Sequence, residues 1–426
     1  MLAVGIILLI VLAISFYSEI HALGLWFVLM IAHDFIAGLV GGSAQHMPMY
    51  AGLIIVVIIA GRRKWTGIST GLLFLVIPLL IFMTAAAIAG LEPNRSLLRV
   101  FLYSKGIVLA ILVAGTVKRD IEVQCLTRYC LAGVLIAVCV TFFESFTGAY
   151  VIEGAEVKRA GMFTGDPNDT ATLILMGLPL ALYWATHAER SVSRIANYLL
   201  IVLIVGAVTM TQSRGGFVAL ILVLTILYFK KPSMKASVFA LVILAAGLLF
   251  VPPDSFYWKR LGNLVGEQEI QEGSVDKRKH YVEAGVEVFL EEPVLGVGIG
   301  NFGRAVVAID PTYRERDITR VAHNMYLEFF VENGVFGGLL FLALLGSAVL
   351  HSWRYDRRNK SEYSAYGLGF CVVMSLAALL FSGLFLSIGK SAELWFLVGL
   401  GFAFQAMSKA AGKSEVSQHV GRLTDY

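Results

Sequence analysis

The sequence predicts an all-α protein that crosses a membrane many times, and three observations carry that reading. Hydrophobic residues make up 58% of the chain and charged residues only 15%, with mean hydropathy +0.76, whereas a soluble domain is nearer half apolar and a quarter charged. The apolar runs approach the roughly 20 residues that span a bilayer as a helix, unlike the roughly 10-residue alternating strands of a barrel. Finally, Lys and Arg gather in the connections that alternate crossings place on one side.

In chain order the apolar runs lie near 1–17, 20–42, 48–61, 67–90, 97–116, 127–148, 169–187, 195–211, 215–229, 236–251, 323–350, 363–386 and 390–408. That is about twelve crossings. Residues 1–42 hold two runs where an even count with both ends inside allows one full crossing, so one of the two is expected to be re-entrant or steeply tilted. His33 and Asp34 fall inside the second run, where ionisable groups are costly unless paired or facing a cavity; a hydrogen-bonded packing pair is the simpler reading. No Lys or Arg precedes the first run, which argues against a cleaved signal peptide. Cys125, Cys130, Cys139 and Cys371 lie in or beside apolar runs, so no disulfide framework is indicated.

Charge sets the orientation. Arg62-Arg63-Lys64, Lys118-Arg119, Arg190 with Arg194, Lys230-Lys231, Arg354 with Arg357-Arg358, and the 409–426 tail share a side, which the positive-inside rule makes cytoplasmic. Residues 90–99, 153–169, 211–214 and 252–322 then lie outside. The long 252–322 segment carries nine Lys and Arg against twelve Asp and Glu, so the formal net charge of +4 reports topology and not nucleic-acid binding. The chain divides into an N-terminal bundle (1–251), a large outer loop (252–322), C-terminal membrane helices (323–408) and the tail.

Polar motifs concentrate on the outer side. Thr211-Gln212-Ser213-Arg214-Gly215-Gly216 offers a helix start with free backbone N–H groups, a guanidinium and close backbone approach, a combination that suits an anion. The plainer alternative is a tight Gly-Gly turn with Arg214 snorkelling to the interface. Asp166-Pro167-Asn168-Asp169 reads as a turn and a cap for the helix that follows. In the long loop Ala284, Val288 and Phe289 recur at helical spacing among glutamates, predicting an amphipathic helix over 281–292. Arg278 sits at the start of that helix, where a cation opposes the dipole and gains nothing locally. His323 stands where the chain re-enters the membrane, followed by Asn324, Tyr326, Glu328 and Glu332; an imidazole there is either interfacial or a proton acceptor.

Taken in order, Ser213-Arg214-Gly215-Gly216, Arg278, the run 293–302 (Pro-Val-Leu-Gly-Val-Gly-Ile-Gly-Asn-Phe), His323-Asn324-Met325-Tyr326-Leu327 and Glu332-Asn333-Gly334 resemble the O-antigen ligase and O-antigen polymerase superfamily. Residues 161–168 resemble that family's outer Asp-Pro-Asn turn. The resemblance covers about 161 to 338; residues 1–150 match only in hydropathy.

It implies metal-independent glycosyl transfer, without a cofactor, on the periplasmic face of the bacterial inner membrane. The donor would be a polyprenyl-diphosphate-linked glycan, and the acceptor lipid A–core, a growing glycan or a protein hydroxyl; lipid A–core is favoured. Membrane lipids surround the chain and no nucleic acid takes part. The residue chemistry agrees. Arg214 and Arg278, with Arg320 as a further candidate, can hold a diphosphate leaving group by bidentate contacts, and His323 can take the proton of an attacking hydroxyl. Ser213, Gly215, Asp166, Asn168, Asn324 and Tyr326 support the site. Asp166 with Asp169 is the one pair that suggests a divalent ion instead. A lipid-linked glycan transporter would thread charges through its spans, and a membrane-anchored assembly protein gives no reason for Arg214, Arg278 and His323 to share a side.

Overall fold

A computed structural model describes residues 2–41, 46–62, 69–148, 160–161, 163–230, 274–309, 318–359 and 366–424, with backbone alone for 2–3, 274–279 and 411–424. Among the described residues the chain is helical, with no strand. The helices are α1 (Leu2–Tyr17), α2 (Glu19–Ile31), α3 (His33–Val40), α4 (Met47–Arg62), α5 (Thr70–Ala89), α6 (Pro93–Thr116), α7 (Asp120–Thr147), α8 (Pro167–His187), α9 (Ser191–Met210) and α10 (Arg214–Lys230). They continue with α11 (Ser274–Glu291), α12 (Phe302–Ile309), α13 (Met325–Arg358), α14 (Leu368–Ser382) and α15 (Ala392–Thr424).

Five of the described helices, α5, α6, α7, α9 and α13, are long and apolar enough to cross a membrane. The α2–α3 pair makes a sixth if it is one span, bent by 69°. That bend falls in the second early run, where the count called for an irregular segment. His33 sits at it, its Nε2 3.3 Å from Asp34 Oδ1 and its Nδ1 2.9 Å from Met30 O, so the pair is satisfied locally. Helices α1, α4 and α14 are apolar but shorter, and the predicted run at 236–251 lies outside the described residues.

Two helices form the centre of the bundle. In α8 every residue from Thr170 to Ala181 is buried, and in α15 every residue from Ala392 to Phe404. A helix apolar and buried all round packs against protein on every face. α15 lies against α6 and α13, and α8 against α9 and α14. Phe27 of α2 stacks on Phe396 of α15 at 4.2 Å, and Phe341 of α13 stacks on Phe329 at 4.0 Å.

The basic connections meet at one end. Lys230 Nζ, closing α10, lies 3.9 Å from Asp356 Oδ2 near the end of α13; Tyr355 donates to Asp120 at the start of α7; and Arg128 of α7 lies over the Trp184 ring near the end of α8. The motif-bearing turns are at the other ends of these same helices.

At that other end α11 and α12 build a second apolar core from Tyr281, Ala284, Val288, Val297, Phe302 and Val306, closed by Ala322 and Val331. The predicted amphipathic helix is therefore present, beginning earlier, at Ser274. Its anchor is a break in α13. Gly334 has φ 66° and ψ −176°, a conformation that only glycine adopts readily. The break releases the carbonyls of Val331 and Glu332, which accept from Val297 N and Gly298 N, each at 3.0 Å, while Val335 N donates to Pro293 O at 2.8 Å. The 293–298 loop thus takes up the hydrogen bonds that the helix gives up, as buried backbone groups require. A Cβ on Gly334 would stand 2.0 Å from Val294 O. Gly334→Ala is expected to cost roughly 3 kcal/mol or more, seen as a lower melting temperature of the purified protein; an unchanged melting temperature would show that the break is not required.

Candidate functional site

The site grows from three turns that meet at the end of the bundle opposite the basic connections. The first is Asp166-Pro167-Asn168, which starts α8. Asp166 Oδ1 accepts from Asn168 N at 2.7 Å and Asp169 N at 3.3 Å, and Pro167 supplies the fixed φ suited to a first helical position. Asp166 is therefore a helix cap, as its position predicted.

The second turn is 211–216. Ser213 Oγ donates to Asn168 Oδ1 at 2.8 Å and accepts from Gly216 N at 3.1 Å, joining the start of α10 to the start of α8. Arg214, half-buried, is the first residue of α10. Gly216 packs against α8, where a Cβ would come 2.7 Å from Ala171 Cβ; at Gly215 it would meet only Phe385 Cβ at 3.9 Å. Packing therefore requires the second glycine and leaves Gly215 with room for an approaching ligand.

The third turn holds His323. Asn324 caps α13, its Oδ1 accepting from Tyr326 N at 3.0 Å and Leu327 N at 3.1 Å. Tyr326 Oη donates to Leu380 O at 2.7 Å. Glu328, one turn into α13, accepts from Ala322 N at 3.2 Å and from the Ser387 hydroxyl. His323 is thus held on both sides, half-buried.

Among the described residues only two that are not glycine have positive φ: Gln212, at 53°, and His323, at 48°. One stands two residues before Arg214 and the other is the candidate base. Left-handed backbone at a non-glycine residue is uncommon and costs of order 1 kcal/mol or more; such strain gathers at functional sites because surrounding contacts must hold it.

The hub of the three turns is the 383–391 connection between α14 and α15. Gly383 O accepts from Met325 N at 2.8 Å, Ser387 reaches Glu328, and Phe385 faces Gly215. Lys390 is close enough to act electrostatically on both Asp169 and Glu328. On the α6 side Arg99 and Tyr103 lie within electrostatic reach of Glu328 and Glu332, and Glu332, buried, accepts from Phe302 N at 3.4 Å. Asn301 Nδ2 donates to Ser96 Oγ at 3.0 Å, and Arg304 pairs with Glu92 at 2.7 Å. The cluster is rich in both charges and set at the end of an apolar bundle, where ionisable groups must pair or face a cavity.

Arg320 is exposed, three residues before His323. Arg278 falls within α11, with only its backbone described. Arg159, Arg260 and Arg316 lie outside the described residues. His280 is exposed and lies 3.6 Å from Glu283.

Residues 199–342 match the O-antigen ligase family. No curated protein matches the chain. The matched stretch runs from α9 into α13 and includes Arg214, Arg278, His323 and Glu332. It does not include Asn168, Arg99, Tyr103, Ser387 or Lys390, so the surroundings of the matched motifs are completed from α6, α8 and the 383–391 connection. Those last residues were missed in the sequence. Their signal was a short polar interruption, Ser387-Ile388-Gly389-Lys390, between two apolar runs, which reads as an ordinary connection until its neighbours are known.

Proposed function

We propose that this chain is an inverting glycosyltransferase that moves a glycan from a polyprenyl-diphosphate donor to a hydroxyl acceptor, ligating O-antigen to lipid A–core on the periplasmic face of the bacterial inner membrane. The observation that carries the reading is the convergence of the Asn168, Ser213-Arg214 and His323 turns at one end of the bundle, within the strained backbone described above. The acceptor oxygen attacks the anomeric carbon, the bond to the diphosphate oxygen breaks with its electron pair leaving on the diphosphate, and the configuration inverts. His323 takes the hydroxyl proton, while Arg214, Arg278 and Arg320 neutralise the leaving diphosphate. No metal is needed, because guanidinium groups supply the charge.

In this reading the basic connections face the cytoplasm, the site end faces the periplasm, and the shorter apolar helices complete about twelve crossings. Donor lipid enters sideways from the bilayer, and the acceptor meets it at the rim.

Deleting the gene and separating surface polysaccharide on a gel tests the proposal. Unsubstituted lipid A–core with accumulated polyprenyl-linked polymer is the expected result. Core bearing a single repeat would reassign the chain as an O-antigen polymerase, loss of glycan from proteins as a protein O-oligosaccharyltransferase, and retention of polymer on the cytoplasmic leaflet as a transporter.

A further inference from the structure

The end of the bundle away from the site carries an open cavity of about 600 Å³, bounded by the α1–α2 turn, the end of α4 and the start of α7. It lies at the far end of α6. Arg99 is near the start of that helix and Thr116, which lines the cavity, is its last residue, so the two regions are separated by on the order of 25 Å along the axis. Nothing in the proposed transfer reaction uses this cavity.

Its charged lining is arranged for an anion. Three guanidiniums, Arg62, Arg119 and Arg128, face two carboxylates, Glu19 and Glu122. Glu122 is already engaged, accepting from Lys118 N at 2.7 Å, Arg119 N at 3.2 Å and Arg119 Nε at 2.9 Å. Arg62 and Arg128 are held in place by contacts that leave N–H donors over. Arg62 donates to Phe16 O at 2.8 Å and Ser15 O at 3.3 Å, at the end of α1. Arg128 lies 4.1 Å over the Trp184 ring, a contact that uses the face of the guanidinium and none of its N–H groups. His21 and Ser18 add polar side chains to the wall, and His21 Nδ1 is 3.1 Å from Tyr129 Oη. Positioned guanidiniums with unspent donors are the usual means of gripping phosphate.

The surroundings indicate which phosphate. At the mouth Phe16, Tyr17 and Ile121 are 59%, 87% and 54% exposed. The α1 and α4 faces leading away present Leu9, Leu53 and Val57, also more than half exposed. In a membrane these surfaces meet acyl chains, so a ligand with a phosphate head and apolar tails satisfies both parts, and a soluble phosphate only one. A basic pocket between spanning helices at the positively charged end of a membrane protein is the setting in which anionic headgroups bind. We infer that this cavity holds the phosphate headgroup of an anionic phospholipid of the adjoining leaflet, its acyl chains lying along α1 and α4.

Native mass spectrometry of the purified full-length chain, with phosphatidylglycerol or phosphatidylcholine added to the detergent, tests this. Phosphatidylglycerol should be retained preferentially, and Arg128→Gln should weaken its retention about fivefold, while Arg194→Gln, in the first turn of α9 and outside the cavity, should not. Arg62→Gln/Arg128→Gln should weaken it further; because Arg62 also holds the end of α1, the wild-type preference between the two lipids stands as the test if that variant does not fold. Equal retention of the two lipids, or an Arg128→Gln chain that binds phosphatidylglycerol as the wild type does, overturns the inference. Displacement of the lipid by millimolar inorganic phosphate would reassign the cavity to soluble phosphate esters and overturn the lipid assignment.

Discussion

Replacing His323 with alanine is expected to abolish glycan transfer by the purified protein while donor binding survives. Loss of a positioned general base typically costs about a hundred- to ten-thousandfold in rate, and here the residue is positioned with some effort. Its left-handed backbone, φ 48°, is held between Ala322, whose N–H is taken by Glu328, and Asn324, which caps α13. Alanine tolerates that backbone less well than histidine, so a second variant is needed. Asparagine visits the left-handed region readily and has no basic nitrogen. His323→Asn should therefore fold as the wild type and be as inactive as His323→Ala. An active His323→Asn enzyme would show that the position supplies a backbone turn and not a base. EDTA is expected to leave the wild type active. Activity lost to EDTA and restored by magnesium or manganese would shift the chemistry to Asp166 and Asp169, even though Asp166 Oδ1 is engaged in capping α8.

Arg214 is expected to lose donor affinity when changed to alanine and not to regain it as lysine. A charge-assisted hydrogen bond is worth about 1.5–3 kcal/mol, so removing a bidentate pair should raise the donor KM by about tenfold to a hundredfold or more. Lysine keeps the charge without the planar fork that matches two phosphate oxygens. The geometry gives the comparison its force, since Ser213 ties the preceding residue to Asn168 of α8 at 2.8 Å and so limits how far the start of α10 can shift to suit a different side chain. A separate measurement of KM and kcat on the Lys variant decides the matter. Full activity at normal expression would reduce the site to simple charge attraction. Arg278→Lys, on α11, should behave in the same way, because the proposal has both guanidiniums share one diphosphate.

Much of this protein was legible in one dimension. Apolar run length announced helices at α4 through α10 and α13 through α15, because a bilayer leaves the backbone no other partner than its own helix; it missed the polar extensions, since α7 begins earlier, at Asp120, and α13 and α15 run on to Arg358 and Thr424. The Asp166 cap, the amphipathic α11 and the motifs that resemble the O-antigen ligase family depend on neighbours close in the chain, so local spacing was enough to find them. Orientation of the motifs toward one another was another matter. That Ser213 would bond Asn168, or that Phe385 would face Gly215, depends on how α8, α10 and α14 pack, and the apolar faces that decide packing carry no direction in a uniformly hydrophobic sequence. Arg99 and Lys390 were passed over for the same reason: each is a single charge at the edge of an apolar run, where snorkelling is the ordinary fate of a cation, and only the fold sets them beside Glu328. The break in α13 shows the division within a single residue. Glycine at 334 is plain in the sequence, but its φ of 66° is stable only because the 293–298 loop arrives from elsewhere in the chain to take the hydrogen bonds that the helix releases.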